Sequence, residues 1–541
     1  MRFKLRIKYL FLFVLFLFGF VGGFTFYSYL GGEDDEIAID DKESPVSYEY
    51  AECYLLLGSF ANTKEGYSFT ELANLEVQTN IEGFDQEGVY TGKDNLSFVK
   101  LTSKAPYEIV SEDENTLVLV SPEDADPRLK SFMVDGVSFW DIEQIQDYPL
   151  CQRKITEDIQ ERFELNGKYY SFNFSSMSSI YIAGETIPVR AVDRTWLHQT
   201  DNYKLLYDRY AYDIENSALS LIMLENPVKG DPEPCRGCMM FIADEQNVSA
   251  LKELGFDAVG IGNHFGDGGR SALESTIEVF AENKLPLAGV SLTSAAEASK
   301  PQYLDMNAKK VAFFSADDVA AYYWIGDYEG AWGVNRYSGK SSSGGVGAVD
   351  HAKIQKDIAS AKSEADLVVV MVSWGVEYTN KASAHQIEMA HSLIDAGADI
   401  IIGSHPHWVQ QVEFYKDRPI FYSLGNFIFD QTNDGIDAHW SRTEGETRQG
   451  ISLKLHFFGN DLKSVEIIPH KICGYDQAPG GESANKSHNQ AWRVQSGELS
   501  YDEVDKMSES EGCVWYQPTP LSQGDTFYND IWERLLEYSE F

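Results

Sequence analysis

Positive charge is scarce in this sequence of 541 residues. Lysine and arginine together number 44 against 84 aspartate and glutamate residues, which gives a formal net charge of −40. Such acidity disfavours nucleic acids as partners and favours cationic or metal-bridged ones, although it also serves simply to keep a protein soluble. The hydrophobic content of 43% and the length indicate a globular chain of two to four domains.

Cysteine is also sparse, at six residues. Cys235 and Cys238 form a C-x-x-C motif, but no second pair follows at zinc-knuckle spacing, so a disulfide is favoured over a metal site there. Proximity in sequence suggests two further pairs, each joining parts of one flanking region in a compartment that permits disulfides. These pairs are Cys53 with Cys151 and Cys473 with Cys513.

One long run near the N-terminus lacks charge altogether. The segment MRFKLRIK carries four cations and is followed by YLFLFVLFLFGFVGGFTFYSYL. That run of about 22 residues is long enough to span a bilayer. The positive-inside rule then predicts a single-pass protein of the cell membrane whose bulk is extracytoplasmic. A cleaved signal peptide is the alternative, but it would have a shorter apolar core and a small-x-small cleavage site.

Changes in composition divide the remaining chain. An acidic stretch that is nearly devoid of large apolar residues follows the anchor and predicts a linker. Short alternating runs such as NTLVLVS then predict a smaller α/β domain. After these, helix and strand patterns alternate for some 230 residues, which is typical of a largely parallel sheet covered by helices. The predicted regions are the basic stub and transmembrane anchor (1–30), the linker (31–47), the small α/β domain (48–175), the main domain (178–450) and a C-terminal extension packed on the core (451–541).

Polar residues fall directly after apolar strands in the main domain. Because ligands bind beyond the carboxyl ends of strands in open α/β sheets, we expect these side chains to meet at one edge. Carboxylate, amide and imidazole ligands suit one or two divalent Mn, Zn or Fe ions, which would clamp a phosphoryl or carbonyl group and activate water. The residues are Glu185, Glu225, Asn263, His264, Ser373, His405 and His407.

The segment GSHPHW contains the most specific part of this pattern. Histidines at i and i+2 of an extended backbone project to the same side, and Pro406 between His405 and His407 stiffens the link. That arrangement predicts two imidazoles presented to one metal ion.

Four segments of the main domain together resemble the CapA family of capsule and poly-γ-glutamate synthesis proteins. They cover about residues 180–432 and read LENPV, GFDAVGIGNHFGDGG, WGVEYTN and AGADIIIGSHPHWVQQVEFYKDRPIFYSLGNFIFDQ. The resemblance implies a metallophosphoesterase-like αββα sandwich at residues 178–450, with an N-terminal anchor outside it. It also relates residues 48–175 faintly to the solute-binding domains that precede some CapA-type domains, although a plain packing module fits equally.

The resemblance also implies roles for individual residues. His264 is implied as general acid or as a group that stabilises developing negative charge. Trp374 lies next to a ligand position, Ser373, and would form the pocket wall or stack on a substrate. Asn426 would hold a turn beside the site or contact the substrate. The implied metal ligands are Glu185, Glu225, Asn263, His405 and His407.

Three positions depart from the family's pattern. Glu185 stands for an aspartate and is one methylene longer, whereas Met223 replaces an asparagine that supports a loop. Ser373 stands where the family has a histidine, and a hydroxyl is a poor ligand for a borderline-soft metal. A weakened position, a single-metal site or a water in place of the ligand are the expected outcomes.

Three functions are compatible with these features. The first is a membrane-anchored CapA-type protein that acts with other subunits on an anionic surface polymer, either poly-γ-glutamate or a capsular polysaccharide, as a metal-dependent phosphoesterase-like hydrolase. The second keeps the fold without catalysis, as a binding or scaffold subunit of a polymer-export complex. The third is a surface receptor for a solute, built on the N-terminal domain.

Overall fold

The computed structural model describes most of the chain after residue 46. The described residues are 47–93, 95–160, 162–189, 192, 208–230, 241–266, 269–293, 295–319, 333–334, 351–430, 446–472 and 518–539. The predicted anchor at residues 1–30 lies outside them, as do the predicted linker except Ser47 and the four cysteines after Cys151. Within the described ranges, every helix is too short or too polar to cross a membrane.

The N-terminal part of the described chain contains two small mixed sheets and a separate two-stranded pair around its own apolar core. Their strand orders are β10-β11-β1-β9 and β5-β4-β6-β2-β7. Cys53 and Cys151 lie opposite each other on β1 and β9 and form a disulfide, which confirms that predicted pair. The elements are β1 (Tyr48–Cys53), β2 (Leu55–Gly58), β3 (Gly66–Tyr67), α1 (Phe69–Leu72), β4 (Val77–Thr79), β5 (Lys100–Leu101), α2 (Pro106–Glu112), β6 (Leu117–Val120), β7 (Lys130–Ser131), β8 (Met133–Val134), β9 (Cys151–Thr156), β10 (Phe163–Leu165) and β11 (Lys168–Tyr170).

The rest of the described chain alternates strands and helices, as the sequence predicts. Its first half contains β12 (Met177–Thr186), α3 (Ala211–Asn216), β13 (Leu219–Leu224), α4 (Gln246–Leu254), β14 (Ala258–Ile261), α5 (Gly269–Glu282), β15 (Val290–Ser291), α6 (Ala295–Ala298), β16 (Gln302–Met306), β17 (Lys309–Asp317) and β18 (Gly333–Val334). Its second half contains α7 (His351–Lys362), β19 (Leu367–Ser373), α8 (Ala384–Ala396), β20 (Ile400–Ser404), β21 (Val412–Tyr415), β22 (Arg418–Phe421), β23 (Asn426–Ile428), β24 (Gln449–Phe458), β25 (Asp461–Ile472), β26 (Pro518–Pro520) and α9 (Thr526–Tyr538).

Two mixed sheets form the centre of this region. The first has the order β14-β13-β12-β24-β25-β26, with β23 also paired to β12, and the second has the order β16-β17-β19-β20-β22-β21. Strands β12, β13 and β14 run parallel, as do β17, β19 and β20. Strand β24 crosses the predicted boundary at residue 450 and pairs with β12 along its length.

Successive residues of the central strands face different cores. On β12, Ile180 and Ile182 pack between the two sheets, whereas Tyr181 packs on the side of α4 and α5. On β19, Val369 also packs between the sheets, whereas Val368 faces α7 and α8. The side-chain period of two thus buries both faces of each strand. The layers run helix, sheet, sheet, helix, and the prediction of an α/β fold is confirmed.

Candidate functional site

The carboxyl ends of both sheets deliver buried polar side chains to one cluster, which we call the His-Pro-His cluster. Its members are the five residues predicted as metal ligands together with Asn426. From the first sheet, Glu185 ends β12 and Glu225 follows β13, and both are fully buried. From the second sheet, His405 and His407 follow β20 and are only 3% and 6% exposed. The remaining members are Asn263, after β14, and Asn426, at the start of β23.

Glu185 joins the two sheets through one carboxylate oxygen. Its Oε2 accepts a hydrogen bond from the backbone N–H of His405 at 3.0 Å and lies 3.5 Å from Nδ1 of His407. Its Oε1 is buried and has no hydrogen-bond partner among the described residues. Gly184 permits this approach, because a Cβ there would lie 2.8 Å from the carbonyl oxygen of Gly425. A buried carboxylate with one open oxygen is thus held between the sheets.

Glu225 lies beside Glu185 over a glycine. A Cβ at position 262 would lie 1.7 Å from Oε2 of Glu225, so only glycine leaves room for this carboxyl group. Burial raises the pKa of Glu185, but the nearby His407, Glu225 and His405 outweigh burial and hold that pKa below its ordinary value. Two adjacent buried carboxyl groups require a shared proton or a cation, since both cannot be ionised without a counter-charge.

Asn426 orients His407. The Nδ2 of Asn426 donates to the carbonyl oxygen of Thr447 at 2.8 Å, which turns its Oδ1 toward Nδ1 of His407 at 2.9 Å. Nδ1 of His407 is therefore the donor in this pair, and a neutral ring keeps its lone pair on Nε2. Such an orienting hydrogen bond is what a metal-binding histidine requires.

His405 is paired with Asn263 in the same way. Its Nδ1 lies 3.2 Å from Oδ1 of Asn263, and the two histidine rings are 6.0 Å apart between centroids. Burial, followed by the charge of His407, lowers the pKa of His405 to about 3. His405 is therefore neutral at physiological pH, as a metal ligand must be.

The backbone at His405 and His407 differs from the expected extended segment. Both residues have positive φ, at 92° for His405 and 60° for His407. Side chains other than glycine adopt this region at a cost of about 1 to 3 kcal/mol each. The two imidazoles reach the cluster through this strained turn, so the prediction of an extended link was wrong.

His264 lies beside the cluster in a short helical turn, Asn263–Gly266. Its ring centroid is 4.4 Å from that of Phe241, and its charge contributes to the lowered pKa of His405. The side chain is half-buried, whereas the ligand candidates are buried. That position suits a group that exchanges protons with a bound molecule.

Ser373 is the last residue of β19 and Trp374 follows it, but their side chains have different surroundings. The Oγ of Ser373 is buried and has no hydrogen-bond partner among the described residues, and its carbonyl oxygen accepts from the N–H of Asp318 at 2.7 Å. Trp374 is fully buried in the core beneath α7 and α8, where its Nε1 donates to the carbonyl oxygen of Tyr422. The structure therefore places Trp374 in that core and not in the His-Pro-His cluster.

A further acidic residue, which was not among the predicted site residues, lies at this edge. Asp318 follows β17, is 4% exposed and binds Nε2 of His385 at 2.8 Å through Oδ2. It comes after the apolar run KKVAFFSA, so the rule that identified Glu225 would have found it. Two aromatic rings also stack on His407, with centroid distances of 5.7 Å for Tyr378 and 5.4 Å for Phe429.

The side-chain types in the cluster are those that bind divalent metal ions. Two carboxylates, an amide and two oriented imidazoles match the preferences of Mn, Zn or Fe, and Oε1 of Glu185 has no hydrogen-bond partner among the described residues. The arrangement is not that of a finished metal site, however. In the part of the chain that the structure describes, no three histidine, cysteine, aspartate or glutamate side chains are grouped as metal ligands.

Comparison with known proteins connects this region to one family. The profile of the family described as "Bacterial capsule synthesis protein PGA_cap" matches residues 179–431. The chain is 30% identical over 270 residues to the "PGA biosynthesis protein CapA" of Bacillus subtilis, covering 48% of this chain and 65% of that protein. It is 33% identical over 274 residues to the "Capsule biosynthesis protein CapA" of Bacillus anthracis, covering 50% and 59%. The chain thus spans less than two thirds of these relatives.

Similarity to solved structures is weaker. A sulfate thiohydrolase SoxB from Thermus thermophilus shares 14% identity, covering 49% of this chain and 41% of its own, with a TM-score of 0.30. A likeness of this size supports no statement about mechanism.

Proposed function

Since residues 179–431 belong to the bacterial capsule synthesis family PGA_cap, we propose that this protein acts in the synthesis, export or anchoring of an anionic surface polymer. The polymer is poly-γ-glutamate or a capsular polysaccharide. The observation that supports a role for the domain itself is the His-Pro-His cluster, since Glu185, His405 and His407 converge from both sheets inside the matched region.

The proposal is tested by deleting the gene in its host and measuring the extracted surface polymer. Deletion should abolish or strongly reduce the polymer, and the wild-type gene should restore it. Unchanged polymer after deletion would contradict the proposal.

We further propose that the cluster is the centre of a metal-dependent hydrolase with the metallophosphoesterase-like chemistry of the αββα sandwich. Glu185, Glu225, Asn263, His405 and His407 would hold one or two divalent ions, and bound ions supply Lewis acidity and an activated water. Glu185 fixes the second-sheet loop through the N–H of His405, and Asn426 holds the tautomer of His407.

His264 is proposed as the general acid of this reaction. Its half-buried ring lies beside the ligand candidates, from where it can protonate the oxygen or nitrogen of a leaving group. A substitution His264→Gln should lower kcat by about 100-fold and leave metal content unchanged. Loss of bound metal in this variant would contradict the assignment.

A scaffold without catalysis is the second candidate, and Ser373 favours it. A buried hydroxyl at this position, without a hydrogen-bond partner in the described part of the chain, replaces the imidazole of the family's pattern. Complementation with His405→Ala/His407→Ala separates the candidates, because a scaffold would restore the polymer and a hydrolase would not. Metal analysis and phosphodiester turnover of the wild type and of Ser373→His provide the second readout.

The proposal also covers where the protein lies and which proteins it works with. Residues 1–30 would anchor the protein in the cell membrane with its bulk outside, beside other subunits of polymer synthesis or export. Protease treatment of intact cells should therefore degrade the chain, whereas a cytoplasmic marker should survive.

A further inference from the structure

A cavity lies at the end of β12 away from the His-Pro-His cluster. It has a volume of about 500 Å³ and is lined by the start of β12, by α3, by β24 and β25, and by the loop that contains Trp140. Ser179 on its wall and Glu185 in the cluster are six residues apart on β12, which corresponds to about 20 Å along a strand. The cavity is therefore separate from the proposed reaction centre. We call it the β12-start cavity.

Charge around the β12-start cavity is mainly negative. Its lining contains four carboxylates against one lysine, which leaves a net charge of −3. Lys454 is already paired, since its Nζ donates to Oδ1 of Asp213 at 2.8 Å. Burial lowers the pKa of His456, so this imidazole adds no positive charge near neutral pH. The other carboxylates of the lining belong to Asp141, Glu143 and Glu466. Glu466 is 51% exposed, and one of its oxygens, Oε2, lies 3.1 Å from Nε2 of His456.

Aromatic rings supply the apolar part of the wall. Trp140 stacks on His456 with centroids 4.9 Å apart and an interplanar angle of 15°. Tyr212 is 51% exposed, and burial together with the charges of Asp141 and Glu143 raises the pKa of its phenol. An exposed ring within the field of two carboxylates is an environment that attracts cations.

Hydrogen-bonding capacity in the lining is not exhausted. Nε1 of Trp140 and Oγ of Ser217 are closed off from solvent, so the exposed side chains of the lining supply the groups that a ligand can reach. Asn216 and Asn307 add amide groups that can donate and accept. A ligand with hydroxyl groups, which also donate and accept, matches such a mixed wall.

We propose that the β12-start cavity binds an amino sugar with a free amine. The pyranose ring would pack against Tyr212 and Trp140, its hydroxyls would meet the amides and serines, and its ammonium group would face Asp141, Glu143 and Glu466. The volume of about 500 Å³ accommodates one or two sugar rings. The net charge of −3 repels an anionic polymer, so this site serves a different ligand from the proposed substrate.

Calorimetric titration of the full-length protein in detergent tests this proposal. The probe is the β-1,4-linked disaccharide of glucosamine, compared with its N-acetylated form and with putrescine. We expect saturable binding of the free amine and at least about tenfold weaker binding of both comparison compounds. Equal affinity for the N-acetylated sugar would overturn the role of the amine, and equal affinity for putrescine would overturn recognition of the ring.

Variants at exposed lining residues locate the site. Tyr212→Ala and the pair Asp141→Asn/Glu143→Gln should each weaken binding by about tenfold. Glu164→Gln removes an exposed carboxylate of the same N-terminal region outside the cavity and should leave the affinity unchanged. Absence of binding by the wild type at millimolar probe, or equal loss in the control, would overturn the proposal.

Discussion

His405 and His407 combine a strained backbone with a buried, oriented imidazole. Glycine would adopt φ of 92° or 60° without strain, yet both positions carry histidine. Their rings are held by Asn263 and Asn426, which take up one nitrogen each and leave the other for a ligand. The strained backbone thus coincides with the candidate ligands, and strained residues in proteins commonly cluster at functional sites.

Two substitutions at His405 separate strain from ligation. Both His405→Gly and His405→Ala remove the imidazole, but only glycine relaxes the backbone at φ 92°. We expect the glycine variant to be more stable than the alanine variant by about 1 kcal/mol in urea unfolding, with equal loss of bound metal. A more stable alanine variant would show that this φ is not strained.

His470 makes stability depend on pH. It is fully buried, its Nε2 donates to the carbonyl oxygen of Asn426, and burial lowers its pKa to about 4. In the unfolded chain this imidazole binds a proton near pH 6.5, whereas in the folded protein it stays neutral down to about pH 4. The free energy of unfolding is therefore highest above pH 6.5 and decreases by up to about 3 kcal/mol as the pH falls toward 4. Urea unfolding at pH 7.5 and pH 5 should show this decline, and His470→Gln should reduce it. An identical pH dependence in the variant would exclude His470 as its source.

Helix α9 packs against β24 and β25 of the first sheet. Tyr528, Ile531, Trp532 and Leu535 repeat at helical spacing and are buried in the core between the sheets. Tyr528 also donates to the carbonyl oxygen of Thr63 at 2.8 Å, which connects the helix to the N-terminal part. The helix therefore contributes to two parts of the fold at once.

Truncation of one side chain on α9 measures that contribution. Trp532→Ala should lower the free energy of unfolding by about 3 to 5 kcal/mol, because it removes a large buried side chain. Glu533→Ala on the exposed side of the same helix should change it by less than about 0.5 kcal/mol. Similar values for the two variants would mean that α9 is not anchored by its apolar face.

The elements also show what the sequence could predict. Strands such as β19 and β20 are continuous apolar runs, so their burial on both faces and the polar residues at their ends were predictable. The central position of β24 was not, because its pairing with β12 depends on contacts between residues some 270 positions apart. Trp374 was placed near the site because it follows Ser373, but side chains alternate and its ring faces the opposite core.

At the scale of the molecule, a disulfide connects two strands of the N-terminal sheets. The disulfide between Cys53 and Cys151 joins strands 98 residues apart and is buried. A cross-link over a loop of this length restricts the unfolded chain strongly. It agrees with the proposed location outside the cell, where disulfides persist.

Removal of the disulfide should destabilise that region. Replacing Cys53 and Cys151 by serine should cost about 2 to 5 kcal/mol of unfolding free energy, and reductant should lower the wild type to the same value. In the double variant, reductant should leave the unfolding free energy of the N-terminal region unchanged. Equal stability of oxidised and reduced wild type would contradict a stabilising role.

The pairing of β12 with β24 also sets the order of events during synthesis. Residues 177–182 of β12 pair with 453–458 of β24, so one side of the central strand has no neighbour until about 270 further residues have been made. At ordinary translation rates that interval lasts about 15 to 50 s. For that time the nascent chain has an unpaired, apolar strand edge, and a chaperone or the translocation machinery would be needed to keep it from aggregating.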